Sequence, residues 1–302
     1  MIAYVIQWGW LKIGSYGVMM ALGFLVAWYL FRLELRRKGM DTDIASRITF
    51  NAAIWGVIGA RLLSILEEPS HVVENPLRTI LLEGGLTWYG GLAAGAAATV
   101  YTIWKAKASY LRVIDAMSPA AMVGYCFGRG GCLISGDGCY GIATDLPWGM
   151  QFPKLVETPG FHCMQSGAIA HWPPVDPSTC TDLSDLSTCL RYPPDVRVHP
   201  TPLYEILAGL LLFALMWSLR KRIQRTGVML GLFLVLQAIP RFLVEFIRLN
   251  PRYAGLSLSQ WLSIGMLIGG LGLFWRARHL PLETAEAPAE AEPKSRRRRR
   301  HR

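Results

Sequence analysis

Three arginines and two glutamates stand where charge is expensive. Arg61, Arg129, Arg241 and Glu245 interrupt otherwise apolar stretches, and Glu205 opens another. A guanidinium in hydrocarbon costs several kcal/mol unless it faces a cavity or a partner, so each of these residues is a candidate site residue. Arg241 and Glu245 are spaced i, i+4 and share a helix face, so they can simply pair. Three arginines against two glutamates still leave positive charge to be matched, and the planar guanidinium fork suits bidentate recognition of phosphate. In a membrane the nearest phosphate is that of a phospholipid head group. Pro240, just before Arg241, removes a helical N–H and predicts a kink where the charges lie. The segment Gly128-Arg129-Gly130-Gly131-Cys132, followed by Gly136, Gly138 and Gly141, is too rich in glycine for an undisturbed helix. Such glycines let backbone approach a head group, or let two helices pack closely. Tyr16, Tyr89 and Tyr140 fall near outer span ends, where a single tyrosine is more often an aromatic-belt residue.

The elements that must position these residues follow from composition. Of 302 residues 52% are hydrophobic and 17% charged, with a mean hydropathy of +0.29, which excludes a soluble enzyme. Residues 13–31, 84–104 and 253–275 carry no charge and are each long enough to cross the roughly 30 Å hydrocarbon core as a helix. Four further stretches, about 48–66, 116–136, 203–219 and 226–247, are mostly apolar. The fold class expected is therefore an all-α polytopic membrane protein with seven transmembrane helices. Basic residues crowd alternate loops (Arg32 to Arg47; Lys105 to Arg112; Arg220 to Arg225), while Glu67, Glu68, Glu74 and Glu83 and then Asp145 to Asp195 occupy the others. Positive-inside bias places the amino terminus out and the carboxyl terminus in. No basic n-region precedes the first apolar run, so a retained anchor is expected rather than a cleaved signal peptide.

Residues 1–280 are expected to form the membrane domain. Within it, residues 142–200 form a long extracytoplasmic loop or head between spans four and five. Cys139, Cys163, Cys180 and Cys189 face the oxidising side, where an even number permits up to two disulfides or free thiols. Cys126 and Cys132 lie within span four, expected roughly on one helix face. Residues 281–302 alternate Glu, Ala and Pro before a basic run, and are expected to be a disordered cytoplasmic tail. Its polybasic end either attracts anionic lipid or simply fixes topology. About half of the net charge of +10 lies in that tail, so no nucleic-acid surface is expected on the body. No zinc spacing of Cys and His occurs, and no metal or other cofactor is expected.

Several collinear segments carry a resemblance. They are Tyr16-Gly17; Gly59-Ala60-Arg61-Leu62; Glu74-Asn75-Pro76-Leu77 leading to Glu83-Gly84-Gly85 and Tyr89-Gly90-Gly91-Leu92; and Gly128-Arg129 with its Gly-rich sequel. Further along come Thr144-Asp145-Leu146-Pro147-Trp148-Gly149, His199-Pro200-Thr201 with Leu203-Tyr204-Glu205, Arg241-Phe242 with Glu245-Phe246 and Arg248, and Ser257 through Ile264. From about Ser15 to about Ile264 the chain resembles the bacterial prolipoprotein diacylglyceryl transferases, multi-pass proteins of the bacterial cytoplasmic (inner) membrane. The resemblance implies transfer of the diacylglyceryl group of phosphatidylglycerol to the lipobox cysteine thiol of prolipoproteins. The sulfur attacks the glyceryl methylene and glycerol phosphate leaves. The partners implied are phosphatidylglycerol, prolipoprotein signal peptides and membrane lipids.

Such a reaction needs a thiolate drawn from a group of pKa about 8.5 and positive charge on the departing phosphate. The resemblance assigns Arg129 and Arg241 to the phospholipid site, with Arg61, Glu245 and Tyr16 supporting, and Cys132, Asp137 and Gly141 lining it. The chain also departs from the family. Cys132, Ser135 and Asp137 replace residues of its usual Gly-Arg-x-Gly-Asn signature and sequel, with one extra residue before Tyr140-Gly141. Tyr89 stands where a His, the proposed base, commonly precedes the Gly-Gly pair, and a tyrosine of pKa about 10 is a poor acceptor of a thiol proton unless its surroundings shift it. Two other readings stay open: the same lipid-binding fold with a different acceptor or donor, and a non-catalytic seven-helix membrane protein.

Overall fold

The computed structural model describes residues 4–8, 11–67, 87–136, 140–151, 197–248, 250 and 252–279. Asp137, Cys139, Cys163, Cys180 and Cys189, most of the long connection after α4 (152–196) and residues 280–302 lie outside the described residues. Among those described, seven α-helices form: α1 Ser15–Arg37, α2 Asp43–Glu67, α3 Trp88–Lys105, α4 Tyr110–Ser135, α5 Thr201–Leu219, α6 Val228–Val244 and α7 Leu258–Ala277. Two short antiparallel hairpins accompany them. β1 (Tyr4–Trp8) pairs with β2 (Leu11–Gly14) ahead of α1, and β3 (Arg252–Tyr253) pairs with β4 (Leu256–Ser257) ahead of α7.

Five helices are long and apolar enough to cross a membrane: Ser15–Arg37, Asp43–Leu66, Thr201–Leu219, Val228–Ile247 and Leu258–Ala277. The other two are helical where spans are expected but less apolar, for a visible reason. α3 is built largely of Gly, Ala, Trp and Tyr, and α4 carries Arg112, Asp115 and Arg129. Large apolar side chains point away from the protein, among them Leu66, Leu211 and Ile268 at 74%, 70% and 66% exposure. In water so many outward leucines would be an aggregation hazard; in a bilayer they are the solvated face. The chain is a multi-pass membrane protein.

The described residues divide between two compact units, one of residues up to Ala27 and from Ser118 to 279, the other of Trp28–Met117. In the second unit α2 and α3 pack through glycines. A Cβ on Gly90 would lie 2.3 Å from the Gly59 carbonyl oxygen and 2.6 Å from Leu63 Cβ, and one on Gly91 would lie 3.1 Å from the Gly56 oxygen. Asn51 Nδ2 donates to Thr102 Oγ1 across the same pair at 2.9 Å. Helices in lipid associate by close packing rather than by expelling water, so small residues at the seam are what hold them. Gly90→Ala is therefore expected to lower stability by about 1–3 kcal/mol, as overpacking does, measured by thermal unfolding in detergent. Gly272→Ala, where nothing lies within 4 Å of the added carbon, is the neutral control.

In the first unit α4 does not break at its glycines as expected. The helix runs through Gly128–Gly131 and ends at Gly136, whose φ of 68° is the left-handed close that glycine permits. The glycines instead admit α1: an added Cβ on Gly130 would lie 2.8 Å from Met19 Cε, and one on Gly131 2.8 Å from Tyr16 Cδ2. Likewise α6 continues through Pro240 before tightening into a 3₁₀ turn at Glu245–Ile247. Cys126 and Cys132 do not share a face, because six residues at about 100° each leave them about 120° apart around the helix. Both are buried, and Cys126 Sγ approaches the Ile206 carbonyl oxygen at 3.8 Å. Tyr140, expected near the membrane interface, is buried with Val198, and Leu133 and Met150 pack against the pair. Antiparallel bridges tie 140–151 to 197–199, with Met150 and Val198 exchanging both backbone bonds at 3.0 Å. The two ends of the long connection between α4 and α5 are thus fastened together.

Candidate active site

The first unit gathers its buried charges at one place. Glu205, in the second turn of α5, has a side chain only 2% exposed and meets three guanidinium groups: Arg129 Nε at 3.2 Å, Arg241 Nη1 at 3.4 Å and Arg248 Nη1 at 3.6 Å. Tyr125, one helical turn before Arg129, donates its hydroxyl to Glu205 Oε1 at 2.6 Å. The Arg129 guanidinium lies over the same ring, 5.2 Å from its centroid. Glu245, 1% exposed, takes Arg241 Nη1 at 2.7 Å and Arg248 Nε at 3.8 Å, and accepts from Asn250 Nδ2. From the first turn of α7, Ser259 Oγ accepts from Arg241 Nη2 at 2.6 Å. Four helices therefore converge on one polar knot.

Local sequence explains why these residues can meet. Arg241, in the last turn of α6, and Glu245, which follows it, are spaced i, i+4 and meet across that turn, and Arg248 comes directly after the 3₁₀ turn that Glu245 opens. The 3₁₀ turn ends at Arg248, whose backbone becomes extended, and Gly141 forms an antiparallel bridge with it. A side chain at Gly141 would place a Cβ 2.5 Å from the Ile247 carbonyl oxygen, so only glycine lets this strand seat Arg248. At the head of α7, Ser257 and Gln260 form a reciprocal capping box that fixes the turn carrying Ser259.

Among the described residues the knot holds three guanidinium groups and two carboxylates, in a setting of low dielectric. The carboxylates are sealed at 2% and 1% exposure, whereas Arg129, Arg241 and Arg248 keep 17%, 15% and 10%. Several contacts are ionic without hydrogen-bond alignment: Glu205 Oε2, Glu245 Oε2, and Nε and Nη1 of Arg248 are buried and make none. The sealed carboxylates thus act as a backing that orients the arginines, whose guanidinium groups are the more accessible side of the knot. Such a site can bind a phosphate and stabilise charge that develops on it.

Of the residues singled out in the sequence, Arg129, Arg241 and Glu245 come together, Tyr16 packs on Gly131 in the same unit, and Gly141 supports Arg248 by its backbone. Cys132 is buried in α4. Arg61 and Tyr89 belong to the other unit, on α2 and α3; Tyr89 is 38% exposed and stacks edge-on against Trp88. The roles of Tyr125, Asn250 and Ser259 were not legible. For Tyr125 the i, i+4 spacing to Arg129 was a usable signal, whereas Ser259 reaches the knot only through tertiary packing. A polar chain lies beside Glu205, where Tyr204 Oη accepts from Trp148 Nε1 at 2.9 Å and sits 3.2 Å from His199 Nδ1.

With this geometry in hand, comparison with known proteins is informative. Residues 3–276 match the family model described as prolipoprotein diacylglyceryl transferase. A protein of Bordetella bronchiseptica named phosphatidylglycerol--prolipoprotein diacylglyceryl transferase is 31% identical, covering 88% of this chain and 91% of its own length. Proteins of the same name from Thermus thermophilus (31% identical; 87% of this chain, 89% of its own) and Clostridium tetani (29%; 87% and 93%) are similar to it over the same extent. By the family match and by identity over nearly the whole chain, it belongs to the prolipoprotein diacylglyceryl transferase family.

Proposed function

We propose that this chain transfers the diacylglyceryl group of phosphatidylglycerol to the lipobox cysteine of prolipoproteins at the extracytoplasmic side of the bacterial inner membrane. The observation that carries the reading is the convergence of Arg129, Arg241 and Arg248 on Glu205 and Glu245, in a chain of that family. The acceptor sulfur forms a bond to the glyceryl methylene as the carbon–oxygen bond to phosphate breaks, and glycerol phosphate leaves with the electron pair. Arg129 and Arg241 hold the phosphate and stabilise its added charge. Glu245 orients Arg241, while Tyr16, Arg61, Cys132, Asp137 and Gly141 line or support the lipid site. The sulfur reacts as its thiolate, and Tyr89 stands at the position where the family's proposed base commonly precedes the Gly-Gly pair. Seven spans, amino terminus out and carboxyl terminus in, carry this site within residues 1–280, with 142–200 as an outer head and 281–302 as a cytoplasmic tail.

Incubation of the purified protein with phosphatidylglycerol and a lipobox peptide is expected to add one diacylglyceryl mass to the cysteine. Folded protein that yields no product would overturn the reading. Tyr89 and Cys132 favour a second reading, in which the lipid site is kept but the acceptor differs, because they stand where the acceptor chemistry is controlled. That reading predicts binding of phosphatidylglycerol without rescue of a strain depleted of its own transferase.

A further inference from the structure

Among the described residues, three buried side-chain oxygens accept no hydrogen bond: Glu205 Oε2, Glu245 Oε2 and Gln237 Oε1. The two carboxylate oxygens are offset by charge, with Arg129 Nε at 3.2 Å and Arg241 Nη1 at 2.7 Å. Gln237 is an uncharged amide, so no ionic attraction offsets the isolation of its oxygen. The residue is 7% exposed and stands midway along the span Val228–Ile247. Hydrocarbon supplies no donor at that depth, and a buried acceptor without one is costly to keep. In a native fold such an atom calls for an explanation.

Its neighbours narrow the role. On the inner side Phe233, one helical turn away, packs with Leu236 against the buried cluster of Met122, Met216 and Met229, so nothing polar is offered there. On the outer side stands Arg241. Gln237 and Arg241 are spaced i, i+4 within α6, which places them one above the other with Cβ atoms about 5–6 Å apart. The bonds that Arg241 makes run to Glu205, Glu245 and Ser259. The amide therefore lies directly beneath the guanidinium that holds the phosphate in the transfer reading. Two arms hang from that phosphate. The diacylglyceryl arm carries ester oxygens, which only accept, whereas the head-group glycerol carries hydroxyls, which donate and accept. An acceptor without a donor selects the second arm, and the amide Nε2 can in turn donate to the hydroxyl oxygen.

We propose that Gln237 is the subsite for the head-group alcohol of the donor lipid, its Oε1 accepting from a glycerol hydroxyl, and that it selects phosphatidylglycerol over phosphodiester lipids of equal charge that lack hydroxyls. The inference rests on the transfer reading for the place of the phosphate, but its test is a binding ratio that needs no turnover. Short-chain phosphatidylglycerol and phosphatidylpropanol, alike in charge and shape, compete for the purified full chain in detergent, and bound lipid is measured by native mass spectrometry. The wild type is expected to favour phosphatidylglycerol about tenfold, as one hydrogen bond allows. Gln237→Met, of similar volume and without a strong acceptor, should bring the ratio to about one, and Gln237→Leu should do the same. Both variants should be at least as stable to heat as the wild type, because they remove an unanswered acceptor; an amide with a merely structural role would instead lower stability and leave the ratio alone. A wild-type ratio near one, an unchanged ratio in both variants, or loss of the fold in both overturns the proposal. Incubating the wild type with a lipobox peptide and each lipid separates the two readings. No product with either lipid overturns the transfer and leaves the ratio to stand, whereas product together with an unchanged ratio in the variants overturns the Gln237 subsite alone.

Discussion

Glu205→Ala is expected to be the most destabilising single change in the chain, lowering the free energy of unfolding by about 3–5 kcal/mol. The side chain is 2% exposed and meets Arg129, Arg241 and Arg248. Removing it leaves three buried or half-buried guanidinium groups facing Glu245 alone within the knot, and a buried charge without its partner costs far more than the pair contributes. Glu205→Gln keeps an acceptor for the Tyr125 hydroxyl, so its loss should be smaller. The cause can be isolated because charge, not shape, is at issue. Adding Arg248→Met to Glu205→Gln removes one charge of each sign and should recover most of the stability, as paired removal of buried ions often does. The measurement is thermal or denaturant unfolding in detergent, followed by tryptophan fluorescence. If Glu205→Ala unfolds with the wild type, or if Arg248→Met makes Glu205→Gln worse, the knot is not an electrostatic unit.

This dependence on one carboxylate bears on how much the sequence disclosed. That arginines stood in apolar stretches was legible, because charge in a 3.6-residue apolar pattern has no local excuse. The pairing of Arg241 with Glu245 was legible for the same reason, since both lie on one helix and spacing alone brings them together. The convergence of Arg129 and Arg241 on Glu205 is a tertiary fact: residues 129, 205 and 241 lie on three helices, and no periodicity says which face of α5 meets which face of α4. The glycine-rich segment misled for a physical reason. Glycine is a poor helix former in water, but in a bilayer the unpaired backbone it would expose is costlier than its entropy, so α4 stays helical through Gly128–Gly131 and the glycines serve as the contact for Tyr16 and Met19. The same logic covers Gly59 and Gly90, which are part of the family resemblance and have a packing role sufficient to account for them.

Arg129→Ala and Arg241→Ala are each expected to lower the rate of peptide lipidation by about 10²–10³-fold, the usual cost of deleting a donor aimed at developing charge. Folding should persist, because deleting one guanidinium from a knot of three relieves repulsion among the cations as well as losing a pair. Lysine should rescue neither fully: Arg241 bonds Ser259 through one arm of its fork while meeting both carboxylates through the other, and an ammonium has no such geometry. Binding and chemistry can be separated by comparing retention of phosphatidylglycerol with turnover. A ligand for the phosphate in both ground and transition states weakens both; a group that acts only as glycerol phosphate departs lowers turnover alone. The two substitutions should also be non-additive. If both guanidinium groups grip the same phosphate through the shared backing of Glu205, the second loss removes little that the first has left intact, so the double variant should be far less impaired than the product of the single losses. Strictly multiplicative losses, or full activity in either alanine variant, would mean that the two arginines do not act on one leaving group.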